Sequence, residues 1–580
     1  MEPMANLEHI RHSLAHLLAT AALEHDPKAK IAIGPVIDNG FYYDIQFSSA
    51  FSDETLPSLE ARMRELVGSS LPFERISATP DQAREQFKDQ PFKLELIDEL
   101  EKNGEQISLY QTGSFIDLCR GGHVENTQEI PGDAFKLEKI AGAYWRGDET
   151  KAQLTRIYGL AFESKEQLQS YETQIEEAKK RDHRRLGKEL DLFTFSDLVG
   201  PGLPLWTPKG TLIRHLLDAY MWELRQKHGY ERVTIPHITR KGLYETSGHW
   251  EKFADELFRI ETREGKEYAL KPMNCPHHTQ IFDRHPHSYR EMPQRYAETT
   301  MVYRDEQSGE LGGLTRVLSI TQDDSHIFCR HSQVKEEFFR IWDIVDTFYG
   351  TFGFSDMRVR LSFHDPDEMG KYLGTKEIWA NAENALREIA EERNANYFEA
   401  PGEAAMYGPK LDFMAKDSLG REHQVATIQL DMNLPERFDL TCVNEKGEKE
   451  RIVMIHCAIM GSIERFSAVL IEHTGGAFPL WLSPLQVAVL PVSEAHEEYA
   501  QRVVDAHTAR GIRAEVSTGD SLGKRIRAAK MMKVPYLIVV GDKEVEAQTV
   551  TLEHREHGSL GAVAIEEAVG KLLSEIASRT

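Results

Sequence analysis

Cysteine is scarce in this chain. Its five cysteines in 580 residues, Cys119, Cys275, Cys329, Cys442 and Cys457, are too few and too widely spaced for a disulfide framework, so reduced thiols are expected. Long apolar runs are also missing: no segment approaches the roughly 18 to 20 residues that a membrane span needs. The opening MEPMANLEHIRHSLAHLL has neither a basic region before an apolar stretch nor a small-residue cleavage site, so it does not read as a secretory signal. A cytoplasmic protein without membrane contact is expected. Basic residues are outnumbered, 69 against 93 acidic ones for a net charge of -24. That balance speaks against indiscriminate binding to DNA or RNA, which draws on a general excess of Lys and Arg. A specific RNA partner stays open, because the basic residues cluster in RDHRRLGK (181–188) and GKRIRAAKMMK (523–533). Each stretch reads equally as a solvated helix face. Internal repeats and low-complexity tracts are absent.

The composition, 41% hydrophobic and 28% charged, is that of an ordinary globular protein, and the length predicts about four domains. Residues 1–163 mix strand-like runs such as KIAIGPVI and FYYDIQF, broken by the turn signal at Asp38, Asn39 and Gly40, and predict an α+β domain. A sparse helical stripe over 164–190 predicts a long connecting helix. Residues 191–481 alternate helices with strands such as ERVTIP, RVRLSF and IVMIHCAIM and form the large central domain. From 482 to 580 the order strand, helix, strand, helix, strand predicts a small α/β domain with a largely parallel sheet. The fold class is thus α+β and multidomain.

The central domain carries a charged constellation. A helix and strand over 208–238 are followed by YRDE (303–306), a Gly-rich loop, Arg316 and finally GSIERF (461–466). Guanidinium groups at two strand ends and one helix start supply planar, permanent donors suited to a triphosphate and to adenylate formation. This order resembles the three signature motifs of class II aminoacyl-tRNA synthetases. With KPMNCP (271–276), TQDDSHIF (321–328), YGPK (407–410) and MIH (454–456), the chain looks like the threonyl-tRNA synthetase family from about residue 8 onward.

The resemblance implies an antiparallel catalytic sheet with flanking helices, a homodimer joined through the central domain, and tRNA(Thr), threonine and ATP as partners. It implies ATP contacts by Arg304, Glu306, Arg316, Gln424 and Arg465, with Mg2+ accompanying the nucleotide. Lys410, Gln322, Asp324, Tyr407, Gln429 and Ser462 are then substrate-binding, and His249 moves a proton during transfer to tRNA. Cys275, His326 and His456 show no local metal-binding spacing and read by pattern alone as buried structural residues. The resemblance makes them ligands of one Zn2+ per subunit, with a fourth position open to threonine. Such a site answers a physical need. An apolar pocket separates near-isosteres by only about a hundredfold, whereas polar groups that require a hydroxyl reject valine by roughly 10⁴ to 10⁵. Serine keeps the hydroxyl and must be removed afterwards.

HSLAH (12–16) and DLCRGGH (117–123) read as surface histidines, or as a four-ligand zinc site. They also resemble the editing domain shared by threonyl- and alanyl-tRNA synthetases, which implies a metal-free Ser-tRNA deacylase built on His12, His16, Asp117, Cys119 and His123. The last domain resembles an anticodon-binding domain, with Glu544 as a contact; Glu553 stands where the family has an Arg, so Arg555 is expected to serve instead. Three further departures are Ile320 where the class has an adenine-stacking Phe, Gly122 in place of a Pro, and His277 as an added metal ligand. The chain opens directly at the editing domain, without the ubiquitin-like domain of many bacterial relatives. The alternative from another class is a non-catalytic paralogue acting as an RNA-binding regulator.

Overall fold

The computed structural model describes residues 7–354 and 357–579, so the first six residues of the expected first domain lie outside it. The chain divides into two compact units between Glu176 and Glu177. That division falls inside the helix Lys165–Arg181. The single connecting helix expected over 164–190 is in fact two: Asp182 leaves helical geometry at ψ 123° and its side chain accepts from the Arg184 amide, starting a second helix, His183–Glu189. An Asp at a helix start satisfies a donor that the helix itself leaves orphaned, which is why the break falls there.

In the first unit the helix Leu7–His25 packs on a sheet whose order is Lys30–Ile31, Gly40–Gln46, Gln153–Ala161 and Phe135–Tyr144. KIAIGPVI is broken at Gly34 and Pro35 into two short strands, and Asp38 and Asn39 make the two-residue turn between Ile37 and Gly40. A second, three-stranded sheet orders Glu74–Ser77, Ser108–Thr112 and Phe115–Leu118. Leu14, Leu17 and Leu18 of the helix join Phe41, Tyr43 and Ile157 in one apolar core.

The second unit is built on an eight-stranded sheet in the order Glu231–Arg232, Gln294–Tyr303, Ser319–Cys329, Val453–Ser462, Glu422–Asp431, Lys410–Lys416, Arg358–Phe363, Tyr397–Pro401. Every pairing is antiparallel except the two outermost, which are parallel. This is the antiparallel sheet that the resemblance implied and that period-two alternation alone could not order. Helices Pro208–Lys227, Val334–Thr351 and Ile463–Thr474 pack on it through Leu217, Phe338, Phe348 and Phe466. The strand expected over ERVTIP shrinks to Glu231–Arg232.

The C-terminal sheet runs Ala514–Val516, Val487–Pro491, Tyr536–Val540, Thr549–His554, Gly558–Ala564. The first three strands are parallel, as the alternating helices require. The last two form a hairpin that pairs antiparallel, a part of the sheet that the sequence reading stopped short of.

Candidate active sites

Register in the large sheet assembles the first site. His326 pairs with His456, His456 with Gln429, and Gln429 with Lys410, so four strands present these residues in one row on one face. Along the strand Ser319–Cys329, Gln322 and Asp324 share the face of His326 because side chains alternate. Asp323 turns the other way: its carboxylate accepts from the Ile459 amide at 3.0 Å and the Gly461 amide at 2.9 Å and pairs with Arg225. Burial raises the Asp323 acid to about 6 against the pull of Arg225.

Cys275 opens the helix Cys275–Phe282, and its thiol meets the imidazoles of His326 and His456 with ligand atoms all within 4.8 Å of one another. His326 Nε2 lies 3.1 Å from His456 Nδ1. The outward nitrogens are held too: His326 Nδ1 lies 2.8 Å from His278 Nδ1, and His456 Nε2 lies 2.8 Å from Asp431 Oδ2. Burial pushes the Cys275 thiol well up and the His326 imidazole well down. A soft thiol with two imidazoles is a donor set that suits zinc, and three protein ligands leave a fourth position open.

The neighbours are polar and ordered. The Tyr407 ring stacks on His456 at 4.6 Å and its hydroxyl donates to Gln429 Oε1 at 2.6 Å. Asp324 accepts from Asn274 Nδ2 at 2.9 Å, and Lys410 Nζ stands 3.6 Å from Asp412. His249 is buried with Nε2 3.9 Å from the Cys275 sulfur, and desolvation lowers it to about 3. His277, expected as an added ligand, is not in the cluster; its ring faces Tyr244 at 6.2 Å. The helix turns consecutive residues about 100° apart, so Cys275 and His277 cannot point to one ion.

A cavity of about 400 Å³ gathers Arg304, Glu306, Arg316, Gln322, Gln424, Ser462 and Arg465. Ile320, Val317, Val425 and Met460 give it an apolar wall. The Arg304 Nε is buried without an acceptor among the described residues. Arg316 pairs with Glu306 at 2.6 Å. Gln424 is clamped, donating to Asp412 Oδ1 at 2.9 Å and accepting from Arg360 at 2.7 Å. Ser462 caps the helix Ile463–Thr474 by accepting from the Arg465 amide at 3.2 Å.

The second site lies in the first unit. His12 and His16, one helical turn apart, have ring centroids 5.3 Å apart, and with Cys119 and His123 they bring four ligand-type atoms within 4.8 Å. The Cys119 sulfur is 3.5 Å from His12 Nε2 and 3.3 Å from His123 Nε2. Asp117 stands behind, 3.8 Å from His16. Sequence reasoning missed two members: buried Lys93 lies 2.5 Å from Asp117 Oδ1, and the Tyr43 hydroxyl donates to Asp117 Oδ2 at 2.6 Å. Neither stands in a motif; Lys93 is only 2% exposed, and the burial of a lone Lys is not written in its sequence neighbours. Desolvation raises the Cys119 thiol to about 11 and, with His16 and His12 adding to it, lowers His123 to about 2. A neutral thiol is a poor nucleophile. Gly122 sits at φ +87°, a value closed to proline, so this loop takes a course the family's Pro could not follow.

In the last domain Glu544 spends both oxygens, on the Gly541 amide at 2.9 Å and the Thr551 hydroxyl at 2.7 Å. The Arg555 guanidinium donates to the Lys533 carbonyl at 3.1 Å and to the Ala477 carbonyl at 2.9 Å, which leaves some of its five N–H groups uncommitted to these carbonyls. Glu553 pairs with Lys530 at 2.8 Å.

Comparison with known proteins agrees with this geometry. Residues 258–474 match the class II tRNA synthetase core domain (G, H, P, S and T), 486–575 an anticodon binding domain, and 107–158 the threonyl and alanyl tRNA synthetase second additional domain. The threonine–tRNA ligase of Rubrobacter xylanophilus is 50% identical over 552 residues, covering 95% of this chain and 85% of that protein. That of Gloeobacter violaceus is 48% identical over 585 residues, covering 99% and 93%. A crystal structure titled as the RNA binding domain of threonyl-tRNA synthetase from Cryptosporidium parvum superposes with a TM-score of 0.65 at 38% identity, covering 68% of this chain and 98% of that one.

Proposed function

The chain belongs to the threonine–tRNA ligase family, and from that premise we propose that it joins threonine to ATP as threonyl-adenylate, transfers it to tRNA(Thr), and hydrolyses Ser-tRNA(Thr) at its second site. The observation that carries this reading is the three-ligand cluster of Cys275, His326 and His456 beside Asp324, Gln429 and Lys410 on one sheet face. It is a site in which a hydroxyl would find partners and a methyl would not.

In the cavity, Arg304 would hold the α-phosphate, Glu306 the adenine, and Arg316 and Arg465 the γ-phosphate end of ATP, and magnesium arriving with the nucleotide would offset its charge. The present Arg316 to Glu306 pair is exchanged for nucleotide contacts, so the site is charged and ordered before ATP arrives. The threonine carboxylate then attacks the α-phosphorus; the new C–O–P bond forms as the bond to the departing pyrophosphate breaks. Fixed guanidinium groups and alignment supply the acceleration. Ile320 offers adenine an apolar face without ring stacking, which shifts binding toward the phosphate contacts.

When bound by Cys275, His326 and His456, a zinc ion supplies a Lewis-acidic position for the amino and hydroxyl groups of threonine. Asp324 accepts a hydrogen bond from the hydroxyl, Gln322 and Tyr407 close around the amino acid, and Gln429 and Ser462 line its approach. Lys410 neutralises the carboxylate, and buried, neutral His249 is suited to pass a proton during transfer to the tRNA ribose. In the first unit, His12, His16 and His123 hold a water against the ester, with Asp117 braced by Lys93 and Tyr43; Cys119 positions substrate and does not attack it. Glu544 contributes to the tRNA-binding face of the last domain, and the protein works as a homodimer joined through the central domain in the cytoplasm.

The test is isotope exchange between pyrophosphate and ATP with purified protein. Threonine supports it, valine does not, and Cys275→Ser abolishes it together with bound zinc. Full exchange in a zinc-free Cys275→Ser protein would overturn the reading.

A further inference from the structure

We infer that Asp431 is a positioning residue for the metal site: it fixes the proton of His456 on Nε2 and thereby keeps Nδ1 free to hold the ion. The inference rests on the zinc reading of Cys275, His326 and His456 given above. Asp431 is completely buried at the end of the strand Glu422–Asp431, one strand from His456. Its Oδ1 is committed, accepting from the Asn433 amide at 2.7 Å and the Leu434 amide at 2.9 Å. Its Oδ2 lies 2.8 Å from His456 Nε2. A carboxylate only accepts, so Nε2 must carry the proton and Nδ1, on the cluster side 3.1 Å from His326, keeps its lone pair. Tyr407, stacked on the ring, holds its plane.

The other imidazole lacks such a device. His326 Nδ1 faces His278 Nδ1 at 2.8 Å, and an imidazole nitrogen can donate or accept, so that contact is satisfied with the proton on either ring. The His278 Nε2 is buried without a partner among the described residues. Among the described residues, Asp431 is thus the one group hydrogen-bonded to either histidine that dictates a tautomer.

This logic makes an isosteric change more damaging than a truncation. In Asp431→Asn the Asn433 and Leu434 amides still demand the oxygen, so the NH2 group faces His456 Nε2. It can only donate, which forces the proton onto Nδ1 and closes the ligand position. In Asp431→Ser the hydroxyl oxygen still serves the two amides, and His456 is left to choose its tautomer.

The experiment measures zinc affinity by competition with a chromophoric chelator, and the visible absorption of the Co2+ form, for the parent, Asp431→Asn, Asp431→Ser and Cys275→Ser in the full chain. Expected is a 10- to 100-fold loss for Asp431→Asn, a smaller loss for Asp431→Ser, and a weakened tetrahedral Co2+ spectrum in the order parent, Ser, Asn. Thermal unfolding of the zinc-free proteins shows whether each variant folds; if Asp431→Asn does not, the same comparison is made between the parent and Asp431→Ser. Unchanged affinity in Asp431→Asn, or a loss greater for Ser than for Asn, overturns the inference, since a residue that merely fills space would suffer more from truncation. A parent that binds zinc no better than Cys275→Ser overturns the zinc reading itself.

Discussion

Asp323 and Asp324 are neighbours with opposite duties, because one residue of a strand turns a side chain from one face of the sheet to the other. Asp323 is locked inward by Arg225 and two amides, while Asp324 accepts from Asn274 and stands 3.8 Å from His326, and keeps acceptor capacity for a ligand. A hydrogen bond to a charged acceptor contributes about 1.5 to 3 kcal/mol. Asp324→Asn should therefore lower kcat/KM for threonine in pyrophosphate exchange roughly 10- to 150-fold and leave the feeble reaction with valine nearly as it was. A parallel fall for both amino acids would place Asp324 outside hydroxyl recognition. His123 gives a prediction in pH. Its folded value of about 2 lies far below the ordinary 6.5, so the unfolded chain binds a proton that the native one refuses. Its neutral burial costs nothing above pH 6.5, and stability falls as pH drops through that value, by about 1.4 kcal/mol per pH unit for one proton. Chemical unfolding between pH 7 and 5 should show a shallower pH slope in His123→Asn than in the parent, and an unchanged slope would remove His123 from the account.

At the scale of elements, strand spacing holds the site together. A Cβ on Gly408 would lie 1.9 Å from the Leu430 carbonyl oxygen, between the strands that carry Lys410 and Gln429. Gly408→Ala must push those strands apart; an overpacked core position costs about 1 to 3 kcal/mol. The expected result is a lower thermal midpoint and a KM for threonine that rises more than the KM for ATP, because Leu430 adjoins the Gln429 end of the strand Glu422–Asp431 and the ATP cavity draws Gln424, Val425 and Thr427 from nearer its other end. An equal rise in both values would show the disturbance to be general. Such close approaches were not legible in the sequence, because nothing in YGPK names the strand beside it. Residues gathered in contiguous stretches, such as TQDDSHIF and GSIERF, could be singled out because a contiguous stretch can be matched to a family motif. The sheet order and the pairing of His326 with His456 across 130 residues could not, because the alternation that marks a strand does not name its neighbour. Lys93, Tyr43 and Asp431 were missed for the same reason: each is a lone polar residue whose partners come from distant strands. The two carbonyls that hold Arg555 were likewise not legible, since they come from Lys533 and Ala477, far from it in sequence.

At the scale of the whole molecule, the two sites lie in separate units, each with its own apolar core, so damage to one need not reach the other. The division of labour follows from a limit on recognition. A site that seizes a hydroxyl cannot refuse serine, and the missing methyl is worth about 1 to 3 kcal/mol, a factor of roughly 10 to 200. Serine at a concentration equal to threonine would then enter the product at roughly 0.5 to 10%, more than a faithful code tolerates, and the second site must lower that figure by hydrolysis. His12 is the residue to change, since it is only half-buried and its imidazole contacts the Cys119 sulfur at 3.5 Å without carrying the core. His12→Ala should leave threonine-dependent pyrophosphate exchange within about twofold, as expected for sites that share no partners, and should let radiolabelled Ser-tRNA(Thr) persist where the parent clears it. If the variant clears Ser-tRNA(Thr) as fast as the parent, the histidine cluster is not the hydrolytic site. If threonine activation falls in step with clearance, the two units are coupled.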